Sequence, residues 1–155
     1  MFPPDTHKPL IISTTMMSAY DFNTTIYTDP AAALRLIQDA RCHFKASSLI
    51  SAVTMGNHQL VDVLRSKGCA WPASTSLAYI SNGSLDALIK AHEQGCPIHA
   101  DAFEWAAQEG HLDILRWILE HTEVNERAKL AALGSAEHGK HEHIVEFLHS
   151  ILPTA

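Results

Sequence analysis

Between residues 46 and 121 the apolar positions alternate between two registers. One is a short, small-residue stretch marked by Ala52, Ala78, Ala106 and Ala107. The other is a longer stripe at i, i+3 and i+4, as in Leu60, Val61, Val63, Leu64 and again in Leu112, Leu115, Trp117, Ile118, Leu119. The second pattern is that of an amphipathic helix. Between the two stands a glycine, Gly56, Gly83 or Gly110, where a left-handed residue ends a helix. Gly68 and Gly95 then close the second helix.

The whole pattern moves in steps of 27, since 83−56 and 110−83 are both 27. Leu34, Val61, Leu88 and Leu115 keep the step, as do Ile37, Leu64, Ala91 and Ile118, and Ala52, Tyr79 and Ala106. Cys42, Cys69 and Cys96 keep it too. A fixed period of this length marks a solenoid of one repeated supersecondary unit. Upstream, 28–42 fits a second helix with Thr28 or Asp29 as N-cap and Pro30 in its first turn. Downstream, the unit recurs through 130–152 with a few inserted residues, Gly139 following Gly110 by 29. The final helix presents Ile144, Val145, Phe147, Leu148, Ile151 and Leu152. Strand-like alternation is absent. The expected fold is all-α, a helical solenoid of about four to five helix-turn-helix repeats. Residues 1–28 form an N-terminal segment or degenerate cap repeat, and 29–152 the repeat domain.

Charge divides the chain. Residues 1–70 carry six Lys/Arg against five Asp/Glu, and 71–155 carry five against twelve, so +1 and −7 sum to the net −6. An acidic half repels a phosphate backbone and points away from nucleic acid, toward a basic or neutral protein partner. No apolar run reaches the ~18 residues of a membrane span. The opening MFPPDTHK places two prolines and an aspartate where a signal peptide carries basic residues. Three cysteines without a Cys-x-x-Cys pair read as reduced thiols in a cytoplasmic setting.

Candidate chemistry is sparse. Equivalent helices of successive repeats stack ~8–10 Å apart. A disulfide needs Cα atoms within ~4.4–6.8 Å, so the cysteine column reads as small buried side chains. Of eleven histidines, His138, His141, His143 and His149 cluster in sequence. His138 and His141 straddle the Gly139 turn, and His143 and His149 point to different faces, so they read as solvated rather than as metal ligands. A metal-binding protein is the third-ranked reading. Nucleophile elbows, Walker loops and dinucleotide fingerprints are absent, and Cys96 near His99 has no orienting group. Asp86, Glu93, Asp113 and Glu120 read as surface helix charges. A non-enzymatic protein without cofactor, metal or small-molecule substrate is expected.

Gly-Asn-His-Gln-Leu-Val (56–61) and Gly-His-Leu-Asp-Ile-Leu (110–115), with Gly-Cys-Ala-Trp (68–71) and Gly-Cys-Pro-Ile (95–98), resemble ankyrin repeats. They are similar to the divergent short type of large DNA viruses and some protists. The resemblance covers about 29–152 and is carried best by 46–121. Ankyrin units usually run about 33 residues, so a step of 27 leaves no room for the projecting β-hairpin finger. It implies a protein-interaction module whose concave strip runs through Ser51, Thr54, Met55, Ser81, Asn82, Trp105, Gln108 and Glu109. Trp105 stands ~200° around its helix from Phe103, away from the core stripe, and is the candidate hot spot. Trp71 and Trp117 read as core, and His58 and His111 as structural inter-helix histidines. The alternative is a structural subunit of a larger assembly, such as a virion, with Pro9 to Tyr27 ordered by a partner.

Overall fold

A computed structural model describes residues 19–38 and 44–153, and its described residues are helical throughout with no strand. The helices are α1 (Ala19–Thr28), α2 (Pro30–Leu36), α3 (Ala46–Thr54), α4 (His58–Ser66) and α5 (Thr75–Ser81). They continue as α6 (Leu85–Glu93), α7 (Ala102–Glu109), α8 (Leu112–His121), α9 (Glu126–Gly139) and α10 (Glu142–Ile151). The chain is all-α. Consecutive helices pack as pairs, α1 on α2 through α9 on α10.

Side-chain chemistry sets where the helices begin. Asp29, not Thr28, caps α2: its carboxylate accepts from the Ala32 N–H at 2.9 Å. Asn57 caps α4 through the Leu60 N–H at 3.1 Å, and Asn125 caps α9 through the Ala128 N–H at 2.8 Å. Each satisfies a donor that the first helical turn leaves open. The turn glycines Gly56, Gly83 and Gly110 all take positive φ, as their position between helices requires.

The last pair departs from the expected register. Gly139 is the final helical residue of α9, and Lys140 takes the left-handed position at φ 59°. The true step is therefore 140−110 = 30 rather than 29. The extra residues lengthen α9 at its N-terminus, which follows α8 after a link of four residues (122–125) that replaces the Gly-Cys connector.

Packing follows the two registers. The odd-numbered helices touch in order, α1 on α3, α3 on α5, α5 on α7 and α7 on α9. Their facing residues are largely small, including Ala52, Ala106, Ala107, Ala132 and Ala136, all buried. Backbones that carry alanine can approach closely. The even-numbered helices bury bulkier side chains, Leu60, Leu64, Leu88, Ile114, Ile118, Ile144 and Leu148. Each such fully buried aliphatic contributes about 1.5–3 kcal/mol. Beyond α2 on α4, these helices meet their counterparts only slightly. Small residues on one row and large ones on the other hold the second helices apart.

At the N-terminal end, α1 buries Phe22 and Ile26 completely and packs on both α2 and α3. The residues set apart as a cap in the sequence reading thus include the first member of a helix pair. Most of the Pro9–Tyr27 stretch, and Cys42, lie outside the described residues.

Candidate functional site

Seven of the eight strip residues fall at the C-terminal halves of α3, α5 and α7 or on their caps, and Trp105 lies in the first half of α7, on three helices that touch in sequence. Thr54, Met55, Ser81, Asn82, Gln108 and Glu109 are exposed. Two are not on the open surface. Ser51 is only 8% exposed because Tyr27 of α1 covers it, donating its hydroxyl to Ser51 Oγ at 3.1 Å. Ser51 in turn donates to the Ser47 carbonyl at 3.2 Å. Its hydrogen bonding is spent inside the protein.

Trp105 is the second correction. Its ring is half-buried and packs against the core, and its indole Nε1–H donates to Ser81 Oγ at 2.9 Å. The angle from Phe103 sets it off its own helix's core stripe, but α5 supplies the missing partner. It is a bridge between repeats rather than a free hot spot. Trp71 and Trp117 are half-buried against the core.

Further polar bonds lace the same edge. Asn23 of α1 donates to Ser47 of α3 at 3.2 Å, and Ser135 of α9 donates to Glu104 of α7 at 3.1 Å. Asn82 Nδ2 donates to the Val53 carbonyl at 2.7 Å, tying the cap of α5 to the end of α3. Polar bonds between repeats fix their register where apolar packing alone tolerates sliding.

Of the clustered histidines, His138, His143 and His149 are exposed, as expected of solvated rings, whereas His141 is half-buried. The His141 ring sits where a Cβ on Gly110 or on Gly139 would fall, at 2.7 Å in each case. Its Nε2 is 2.8 Å from the Gln108 carbonyl, and His143 Nε2 is 3.3 Å from the Gly110 carbonyl. One repeat earlier, the His111 ring lies over Gly83, 2.8 Å from a Cβ built there. His111 is therefore an inter-repeat wedge, and His141 repeats it. His58 is exposed, without that burial. His92 and His121 flank Trp117, with ring centroids 5.4 Å and 4.6 Å away. Among the described residues no three His, Cys, Asp or Glu side chains group closely enough to hold a metal ion.

Cys69 and Cys96 are free and buried. Burial raises both thiols, Cys96 to about 11, against a smaller opposing pull from Arg65. Such thiols are protonated and unreactive at neutral pH.

A groove of about 650 Å³ opens between α4 and α6, with Trp71 and Tyr79 in its walls and Asp62, Asp86, Lys90 and Asp113 on its lining. Asp86 and Asp113 are exposed, as expected of surface helix charges, and both border this groove. Their step, 113−86 = 27, was the available signal that equivalent positions of adjacent repeats face one space. Tyr79 is pushed up to about 12, first by burial, then by Cys96 and Asp62.

No known family, curated protein or solved structure matches this chain. Its geometry therefore carries the functional reading. Among the described residues no helix is long and apolar enough to cross a membrane.

Proposed function

We propose that the chain is an ankyrin-type repeat solenoid that acts as a non-enzymatic protein-interaction module in the cytoplasm. The observation that carries this reading is the laced edge of α3, α5 and α7. Hydrogen bonds between helices hold the scaffold, as in Trp105 to Ser81 and Asn82 to Val53, while Thr54, Met55, Gln108 and Glu109 stay exposed on it. A partner docking on side chains already fixed in place loses little conformational entropy. Free buried thiols support the cytoplasmic setting. The resemblance to viral repeats favours a host-directed adaptor. Affinity capture from the native source, comparing wild type with Met55→Ala and Glu109→Lys, tests the reading. Both substitutions are on exposed side chains, so the partner should be lost while the melting temperature holds. Retention of the same partner by both variants counts against it.

A second reading, a subunit of a larger assembly such as a virion, draws on the far end of the stack. Leu130 of α9 is 54% exposed, with exposed Ala131 and Gly134 near it on the same helix. Sedimentation of the wild type against Leu130→Glu separates the two readings. A change of association state in the variant favours the subunit.

A further inference from the structure

The groove between α4 and α6 lies on the second helices, apart from the edge described above. Its lining carries three carboxylates, Asp62, Asp86 and Asp113, against one ammonium, Lys90. None of these four forms an ion pair among the described residues. The carboxylates do not converge as a metal site would require. Tyr79 is only 4% exposed, lines the groove, and its hydroxyl has no hydrogen-bond partner among the described residues. Water reaches the hydroxyl, and a donor entering the groove can take that water's place. Raised to about 12, the phenol is neutral at physiological pH, and its oxygen can accept an N–H.

Trp71 supplies the third element. Its Nε1–H donates to the Gln94 carbonyl at 3.1 Å, which fixes the ring as a wall. The guanidinium carbon of Arg65 already stands 4.6 Å from its centroid, and Arg65 Nη1 donates to the Cys69 carbonyl. An aromatic wall, an open phenol and excess carboxylate together suit a flat, weakly hydrated cation with several N–H donors. The volume lies within the roughly 300–1,000 Å³ of ordinary ligand sites.

We infer that this groove docks an arginine side chain carried on an extended basic segment of a partner protein. The guanidinium lies among Asp62, Asp86 and Asp113, within reach of the Tyr79 hydroxyl. The partner's main chain runs along the opening between the two helices. The inference does not depend on the edge of α3, α5 and α7, and either can fail without the other.

The test is a titration of the full chain with an acetylated, amidated Gly-Arg-Gly-Arg-Gly peptide, followed by amide and indole NMR shifts. Its twin, with citrulline replacing arginine, keeps the shape and removes the charge. The arginine peptide should give saturable shifts at the Trp71 indole and across 84–90, and the citrulline peptide none. Asp86→Asn and Asp113→Asn, both at exposed positions, should each weaken binding about threefold. Together they should weaken it about tenfold, and Tyr79→Phe should weaken it further. Absence of saturable shifts overturns the inference, as does binding that the two aspartate substitutions leave unchanged. Free arginine amide binding as tightly as the peptide also overturns it, since the groove is then a small-molecule site.

Discussion

The indole of Trp105 donates to Ser81 across the α5–α7 contact, and Tyr27 donates to Ser51 across α1–α3. The two pairs are one pair repeated: 81−27 and 105−51 are both 54, twice the period. The aromatic donor has moved from the earlier repeat to the later one, while the bond stays in the same place. At the intervening α3–α5 contact the equivalent residues are Thr54 and Ala78, and Thr54 donates within its own helix to the Ile50 carbonyl, so the bridge recurs at alternate contacts.

Trp105→Phe therefore removes one hydrogen bond and keeps most of the packing. It should lower unfolding free energy by about 1 kcal/mol. Trp105→Ala removes the ring as well and should cost about 2–3 kcal/mol, less than a fully buried tryptophan because the site is half-open. Urea denaturation of the two variants checks both values. Equal stability of wild type and Trp105→Ala would mean that the bridge contributes nothing.

Gly139 lies within α9, where alanine is ordinarily favoured by about 1 kcal/mol. Here its Cβ would meet the His141 ring at 2.7 Å, a ring whose Nε2 lies 2.8 Å from the Gln108 carbonyl. Gly139→Ala should destabilise the wild type and cost less in a His141→Ala background. A double-mutant cycle should return a coupling of about 1 kcal/mol or more. Additive effects would show that the ring yields freely.

Lys140 holds the left-handed position that glycine fills in the other repeats. A non-glycine residue there costs of order 1 kcal/mol. Lys140→Gly should raise the melting temperature by a few degrees in a scanning calorimeter, at about 2–4 °C per kcal/mol for a chain of this size.

Much of this was legible in the sequence because the period fixes both the helices and their glycines. Gly56, Gly83 and Gly110 mark turns, and Asp29 with Pro30 marks the start of α2. The last repeat misled because glycine at 139 answers to the approach of His141, not to backbone angle. A helical wheel placed Trp105 and Ser51 off the core correctly for their own helices. It cannot see that a neighbouring repeat covers them, through Ser81 and Tyr27. The groove was hidden for the same reason, since its walls come from positions 58 to 113 and meet only after stacking.

High pH provides a separate check. Cys96 and Tyr79 have folded pKa values of about 11 and about 12, above their ordinary 9.0 and 10.0. Below pH 9 both states hold these protons and stability is unaffected by them. From pH 9 upward the unfolded chain loses protons first, so unfolding becomes progressively easier. In a Cys42→Ala background, Ellman's reagent at pH 8 should find no fast thiol until denaturant is added. Rapid reaction of two thiols in the folded protein would contradict the burial.

The most direct measurement is site-specific photo-crosslinking in the native source, with the crosslinker at Met55, Gln108 or Glu109. Glu93 and Glu120, exposed on the second helices, serve as controls. If the laced edge is a docking surface, the three edge positions should capture one common protein that the controls miss. Capture of the same protein at the control positions, or none at the edge, would contradict it.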